Sequence, residues 1–181
     1  VRLVALGTVP VAIVGVLWAS AIEQQLRAAG VTVVTLIAGA LGFFLAEGIG
    51  SRTRDEGAVS HGEAFVIGCA QAAALVPGVS RSGATITVGM LLGLRRESAA
   101  RFSFLLGVPA ILAAGAHAGL GLARTGVTAD EVRLFLVGMV VSAAVGYVAI
   151  ASLLRYLSRH SLAVFAWYRL ALAATVLSWV W

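Results

Sequence analysis

A short polar segment, residues 77–85, carries the side chains of this sequence that are best suited to chemistry. It reads Pro-Gly-Val-Ser-Arg-Ser-Gly-Ala-Thr, so three hydroxyl groups and one arginine interrupt an apolar stretch. Arg81 is the single charged side chain between residues 64 and 94. An arginine near the centre of a bilayer costs at least roughly 2.5 to 3.5 kcal/mol even on mild insertion scales. The default interpretation of this segment is therefore a functional site.

The chemistry that this segment favours is anion binding. Pro77 and Gly78 interrupt a helix, and the apolar run that follows at 84–94 can begin a new one. The free N–H groups and the positive dipole end of a helix N-terminus attract anions, and a guanidinium adds a bidentate donor for phosphate oxygens. We therefore predict a phosphate or diphosphate site in which Ser80, Ser82 and Thr85 join Arg81. Any of these hydroxyls can serve as a nucleophile, but no general base stands next to them in the sequence.

Three polar residues also have simpler interpretations. A structural kink explains Pro77 without any ligand, although it does not explain Arg81. Gln71, just before the polar segment, is either a hydrogen-bond partner between helices or part of the site. We interpret Arg169 as an anchor whose head group snorkels toward the membrane face that carries Arg155.

The elements that must position this site are membrane helices. The chain has 181 residues, of which 60% are hydrophobic and 12% charged, and its mean hydropathy is +0.99. Apolar runs cover residues 3–22, 31–46, 102–123, 134–154 and 161–181, close to the roughly 17 to 25 residues of a spanning helix. The alternation typical of membrane β-strands is absent. We predict an all-α fold, a polytopic membrane helical bundle that forms one domain over residues 1–181.

Residues 64–94 form a re-entrant hairpin in this prediction. The two apolar pieces on either side of the polar segment are each about half a bilayer long at roughly 1.5 Å per residue. They make either one broken spanning helix or a helix-loop-helix hairpin that returns to the same face. The loop arginines favour the hairpin, because it divides them eight to three between the two faces, whereas a single crossing divides them five to six. The eight are Arg2, Arg52, Arg54, Arg95, Arg96, Arg101, Arg155 and Arg159.

The basic composition has the same explanation. The formal charge of +5 comes from 13 basic residues, all of them Arg, and outside the apolar runs they lie in short loops. The positive-inside rule accounts for this pattern, so we expect no nucleic acid partner. The single cysteine, Cys69, lies in an apolar run, and we interpret it as a residue that packs against neighbouring apolar side chains.

Three sequence segments together resemble the undecaprenyl-diphosphate phosphatase family, the bacitracin-resistance membrane phosphatases. They are Gly-Cys-Ala-Gln at 68–71, the polar segment at 77–85, and Gly-Leu-Arg-Arg-Glu-Ser-Ala-Ala-Arg-Phe-Ser-Phe-Leu-Leu at 93–106. The resemblance implies two inverted-topology halves, each with a re-entrant hairpin. It also implies removal of the terminal phosphate of undecaprenyl diphosphate at the outer side of the bacterial cytoplasmic membrane, which recycles the lipid carrier for peptidoglycan synthesis. Arg81 then binds the diphosphate, and Gly78 and Gly83 line the substrate site with Ser80, Ser82 and Thr85. Gln71 is a further candidate for substrate binding.

The sequence also departs from this family. The glutamates, serine and histidine of the family's first hairpin have no match here, so we expect that an N-terminal part precedes Val1 and that these 181 residues alone hydrolyse little substrate. A divalent cation, Mg²⁺ or Ca²⁺, is implied by the resemblance, but its ligands are not visible in this chain, and we assign no metal-binding residue.

The expected partners are a polyprenyl diphosphate lipid, the bilayer and a second copy in a homodimer. The alternative is a transporter or flippase for an anionic lipid or small anion, since broken helices that point at a central anion also occur in transporters.

Overall fold

The protein is a bundle of α-helices. The structure, a computed structural model, describes residues 1–126 and 128–180. Its helices are α1 (Arg2–Gln25), α2 (Ala29–Ile49), α3 (His61–Ala73), α4 (Arg81–Leu91), α5 (Arg96–Thr125), α6 (Ala129–Leu157) and α7 (Ala163–Val180), with one 3₁₀ turn at Glu56–Ala58. Three helical stretches, at Ala29–Ile49, Arg96–Leu122 and Asp130–Leu157, are long and apolar enough to cross a membrane. The prediction of an all-α membrane bundle is confirmed.

Five of these helices lie over the five apolar runs of the sequence. Four of them extend a few residues beyond their runs, whereas α7 lies within the run at 161–181, and residue 181 lies outside the described part of the chain. The largest extension is at α5, which begins at Arg96, six residues before the uncharged run at 102–123. The reason is that Glu47 accepts hydrogen bonds from Nε of Arg96, at 2.8 Å, and from its Nη2, at 2.5 Å, so this charge is tolerated in the first turn.

Helices α3 and α4 form the helix-loop-helix hairpin that the loop charges favoured. Arg54 joins its two ends, because its Nη1 donates to Oε1 of Glu63 at 2.6 Å and to the carbonyl of Leu92 at 2.9 Å. The backbone N–H groups of Thr53 and Arg54 also donate to the carbonyl of Gly93. The beginning of α3 and the end of α4 therefore lie together, which contradicts the single crossing.

Beside the base of the hairpin, the carboxylate of Glu47 joins three further helix ends, those of α2, α5 and α7. It lies near the end of α2 and accepts hydrogen bonds from Arg52, at 2.9 Å, and from Arg96 at the beginning of α5. It also accepts the backbone N–H of Leu162, just before α7, at 2.8 Å. The connections that carry most of the arginines therefore share one end of the bundle.

Helix caps define where the two helices of the hairpin, α3 and α4, begin. Ser60 and Glu63 form a reciprocal capping box at the beginning of α3, and this arrangement satisfies two backbone N–H groups that the helix leaves free. Ser80 caps α4 by accepting the N–H of Gly83 at 3.1 Å. Between the two helices the chain passes through turns at residues 74–78. The polar segment at 77–85 therefore comprises the end of this break and the first turn of α4.

The ion pair at the base of the hairpin makes stability depend on pH. Hydrogen bonds, first from Arg54 and then from the backbone N–H of Ser60, lower the pKa of Glu63 from 4.5 to about 2. Because the folded-state pKa is lower than the unfolded one, this contribution is complete above pH 4.5 and is lost as the pH falls toward 2. The difference in thermal unfolding temperature between wild type and Glu63→Gln in detergent should therefore be largest near neutral pH and shrink across that window.

A neighbouring acid provides the control for this experiment. Glu56 meets Arg101 only at 3.7 Å, so Glu56→Gln should shift the unfolding temperature less than Glu63→Gln does. A difference for Glu63→Gln that stays constant from neutral pH down to pH 2 would contradict the role given to the Arg54–Glu63 pair.

Candidate functional site

The tip of the hairpin lies deep within the bundle, against α2. Oγ1 of Thr35 donates to the carbonyl of Pro77 at 2.8 Å. Thr35 precedes the end of α2 at Ile49 by 49 − 35 = 14 residues, or about 21 Å at a rise of about 1.5 Å per residue. The tip is therefore about two thirds of the way along α2 from the end that carries the base of the hairpin.

Gly78 is required for this close approach. Its φ is +84°, a conformation that residues with a side chain rarely adopt. A Cβ atom there would lie 2.1 Å from Oγ1 of Thr35 and 2.8 Å from the carbonyl oxygen of Thr32. The backbone at Gly78 therefore lies directly against α2, and irregular backbone inside a membrane is tolerated where protein surrounds it in this way.

Arg169 of α7 also holds the tip. Its Nη2 donates to the carbonyls of Gly78, at 3.0 Å, and Thr35, at 3.1 Å, and its Nε donates to the carbonyl of Leu36 at 3.3 Å. The residue is only 7% exposed. The interpretation of Arg169 as a snorkelling anchor is therefore wrong, because its head group is directed at the hairpin and its N–H groups satisfy carbonyls on two elements.

The surroundings of this guanidinium are apolar and uncharged. Its Cζ lies 5.9 Å from the centre of the Phe43 ring, within the range of a cation–π contact. Among the residues that the structure describes, no carboxylate lies within 4 Å of it. Gly39 of α2 makes the room, since a Cβ there would lie 2.2 Å from Nη2 of Arg169. Arg169 is thus a buried cation whose charge no described acid balances.

The N-terminus of α4 offers donors to an anion. Ser80 Oγ occupies the N–H of Gly83, but the N–H groups of Arg81 and Ser82 have no acceptor in the described ranges. Oγ of Ser80 and Oγ of Ser82 lie 3.4 Å apart. Two backbone donors and two hydroxyls therefore meet at the positive end of an 11-residue helix.

Arg81 is half-buried beside this N-terminus and faces α5. Its nearest acceptor is the carbonyl of Gly107, 3.5 Å from Nη1, which is a long contact. A Cβ at position 107 would lie 2.8 Å from Nη2, so the absence of a side chain there accommodates the guanidinium. Within the described part of the chain no carboxylate lies within 4 Å of Arg81, and most of its N–H groups remain available for an anion.

Thr85 and Gln71 have different surroundings. Thr85 is buried, its Oγ1 lies 2.9 Å from the carbonyl of Arg81, and it shares a hydrogen bond of 2.5 Å with Oγ of Ser103 on α5. The hydroxyl therefore connects α4 to α5, and its contact with a ligand stays a prediction. Gln71 is 1% exposed, and neither Nε2 nor Oε1 has a hydrogen-bond partner among the described residues. Its role in binding also stays a prediction.

The predicted site residues fall on two faces of the hairpin tip. Gly78, Ser80, Ser82 and Gly83 line a cavity of about 450 Å³ that Arg169 also lines. Arg81 and Thr85 face α5 instead. The sequence predicted one cluster around Arg81, misread Arg169 as an anchor, and missed the contacts of Thr35 and Ser103. Arg169 had a usable signal, because it also is a lone charge in an apolar run. Ser103 lies in the segment 93–106 that carried the family resemblance, whereas Thr35 had no signal.

The residues around the tip do not fit a divalent cation. Mg²⁺ and Ca²⁺ take carboxylate and carbonyl oxygens, whereas the tip presents hydroxyls, N–H groups and two guanidiniums. No group of three His, Cys, Asp or Glu side chains is found among the described residues. Glu47 and Glu63 are both held by arginines at the other end of the hairpin. The Mg²⁺ or Ca²⁺ implied by the sequence resemblance therefore has no ligand set among the described residues.

Comparison with known proteins identifies the family. The pattern of the bacitracin resistance protein BacA family matches residues 1–175. The chain belongs to this family. An undecaprenyl-diphosphatase of Rubrobacter xylanophilus is 48% identical over 174 residues, 96% of this chain and 64% of that protein. One of Trichlorobacter lovleyi is 41% identical over 177 residues, 97% of this chain and 65% of that protein. This BacA family chain thus spans slightly less than two thirds of these relatives.

The hairpin tip of this BacA family chain should not tolerate a side chain at Gly78. Gly78→Ala combines a left-handed backbone conformation, which costs about 1 to 2 kcal/mol, with a clash against backbone of α2. We expect a loss of about 2 kcal/mol or more in the free energy of unfolding, measured by chemical denaturation in micelles. Gly62→Ala is the matched control, because it lies in α3 with nothing within 4 Å of the added atom. Equal stability of the two variants would show that the tip does not contact α2 as described.

Proposed function

We propose that this chain takes part in the hydrolysis of undecaprenyl diphosphate to undecaprenyl phosphate and inorganic phosphate. The observation that carries the proposal is the arrangement at the tip, where a guanidinium without an acidic partner among the described residues stands beside the free N–H groups of α4. Such a combination suits the oxygens of a phosphate group. The relatives named undecaprenyl-diphosphatase support the choice of substrate.

The role of the tip in this reaction is to hold and neutralise phosphate. Water attacks the terminal phosphorus, the anhydride P–O bond breaks, and the electron pair leaves on the oxygen of undecaprenyl phosphate. Negative charge on the phosphoryl oxygens is met by Arg81 and by the N–H groups of Arg81 and Ser82. The hydroxyls of Ser80 and Ser82 turn to the cavity and donate to oxygens of the same diphosphate from that side. We assign no nucleophile among them, because no described His, Asp or Glu is hydrogen-bonded to either hydroxyl.

We place the chain in the bacterial cytoplasmic membrane with the tip accessible from the outer side. The support is the common end of the arginine-rich connections, which the positive-inside rule assigns to the cytoplasm. The hairpin tip extends from that end toward the opposite one. A polyprenyl diphosphate then reaches the tip from the bilayer, and a homodimer remains an expected assembly of this protein.

Substitution of Arg81 tests the proposal. In the product of the complete gene, Arg81→Ala should lower kcat/KM for release of phosphate from undecaprenyl diphosphate by about 100-fold or more, since losing one preorganised donor typically costs that much. Arg81→Lys should restore only part of the activity, because an ammonium cannot bind two phosphate oxygens in the bidentate geometry. Arg159→Ala is the control, as Arg159 is exposed beyond the end of α6.

Two outcomes would contradict the proposal. Activity of Arg81→Ala within about threefold of wild type, in protein that inserts normally, would remove Arg81 from phosphate binding. Transport of a fluorescent prenyl diphosphate across vesicles without release of phosphate would favour the transporter or flippase that the sequence left as the alternative.

A further inference from the structure

Helix α4 lies antiparallel to the first half of α5, and the two helices meet in one register. Their residues come together in three pairs that are four residues apart on each helix: Gly89 with Ala99, Thr85 with Ser103, and Arg81 with Gly107. Four residues are about one helical turn, and the small residues in this seam let the helices approach closely. A shift of α4 by one turn would separate all three pairs. The position of Arg81 therefore depends on this register.

The middle pair of the seam is joined by a hydrogen bond between two buried hydroxyls. Thr85 is 1% exposed and Ser103 is 3% exposed, and their oxygens lie 2.5 Å apart. Oγ1 of Thr85 also lies 2.9 Å from the carbonyl oxygen of Arg81 and 3.2 Å from that of Ser82. Two hydroxyls and two carbonyl oxygens therefore share two protons. A missing hydrogen bond is costly in such a buried group, because no water replaces it.

The number of protons determines the direction of these bonds. A hydroxyl donates one proton, and a carbonyl oxygen only accepts. If Thr85 donated to Ser103, its oxygen would face the carbonyl oxygen of Arg81 at 2.9 Å without a proton between them. If Ser103 donates to Thr85, the Thr85 hydroxyl is free to donate to the carbonyl of Arg81, a bond that threonine commonly makes inside helices. The chain of bonds therefore runs from Ser103 through Thr85 to the backbone of Arg81.

We propose that Ser103 is a positioning residue for Arg81, on which it acts through Thr85. The bonds hold α4 in its register and hold the carbonyl of Arg81 itself, so the guanidinium lies beside Gly107 with its N–H groups available to phosphate. The proton of Thr85 is used within the protein, which places this hydroxyl behind Arg81 and not against the ligand. The inference rests on the proposed function, because it names what keeps the phosphate-binding arginine of that site in place.

Substitution of Ser103 in two backgrounds tests whether it acts through Arg81. In the product of the complete gene, Ser103→Ala should lower kcat/KM for phosphate release from undecaprenyl diphosphate by about tenfold to 100-fold, since a misplacement of about 1 Å can cost that much. In Arg81→Ala protein the same substitution should change kcat/KM by less than about twofold, because the group that it positions is gone. The affinity for inorganic diphosphate, measured by isothermal titration in micelles, should follow the same pattern.

Two further substitutions are matched controls. Ser98→Ala removes another buried hydroxyl of α5, which donates to Asp55 at 3.0 Å, and should leave kcat/KM within about twofold of wild type. Thr85→Val and Thr87→Val each remove a hydroxyl of α4 that donates to the carbonyl four residues before it. In the described structure only the hydroxyl of Thr85 is also bonded to α5. Thr85→Val should therefore resemble Ser103→Ala, and Thr87→Val should resemble wild type.

The Arg81→Ala background also distinguishes positioning from direct contact of Thr85 with phosphate. A Thr85 hydroxyl that bound phosphate itself would make Thr85→Val lower kcat/KM by a further tenfold or so in Arg81→Ala protein, whereas positioning predicts no further loss. That further loss would overturn the inference. An equal loss from Ser103→Ala with and without Arg81 would also overturn it, as would wild-type activity of Ser103→Ala. Should Thr85→Val fail to fold, Ser103→Ala in the two backgrounds still decides.

Turnover and affinity together distinguish this inference from the proposed function. If Arg81→Ala loses activity and Ser103→Ala does not, the phosphatase assignment stands and the positioning role fails. If wild type does not hydrolyse undecaprenyl diphosphate but the affinities for inorganic diphosphate follow the expected pattern, the positioning role stands and the phosphatase assignment fails. An Arg81→Ala variant unchanged in both measurements would overturn both.

Discussion

The structure depends on satisfying the carbonyl groups that a helix break exposes at membrane depth. Lipid offers no hydrogen-bond donor, so each unsatisfied group there costs several kcal/mol. The carbonyl of Pro77 is met by Thr35 and that of Gly78 by Arg169, one donor from each of the two helices that flank the tip. The same two contacts fix the direction in which α4 begins, and thereby the direction in which its free N–H groups point.

The opposite end of the hairpin is held by charge. Arg54 and Glu63 close its base, and Glu47 joins the ends of α2, α5 and α7 beside it. These groups lie where the chain leaves the apolar layer, so water and opposite charges are both available to them. The two arginines at the tip, in contrast, have no acidic partner among the described residues. Among the described residues, the tip therefore combines free N–H donors with unbalanced positive charge, a combination that suits an anion.

Much of the fold followed from the sequence, because bilayer thickness and loop charge are strong constraints. Apolar runs predicted the positions of α1, α2, α5, α6 and α7, and the distribution of arginines favoured a hairpin over a crossing. The ends of helices were less predictable, as at α5, where Arg96 is admitted because Glu47 binds it. That partner is 49 residues away in the chain, and no local pattern reports it.

The position of the hairpin tip was predictable from its residues, whereas the directions of its side chains were not. Proline, glycine and a lone arginine indicated the tip correctly, but which side of it each residue faces depends on the neighbouring helices. Arg81 turns to α5 because Gly107 leaves space, while Ser80 and Ser82 turn to the cavity. Arg169 was misread because its distance from the end of its own apolar run suggested the interface, whereas its true partners belong to α2 and the tip.

The bond between Arg169 and Gly78 has a consequence for biosynthesis. The two residues are 91 positions apart, so at translation rates of about 5 to 20 residues per second several seconds pass between their appearances. During that interval the break in the hairpin lacks one of its two donors. The tip is therefore completed by a helix that is synthesised and inserted long after the loop that it supports.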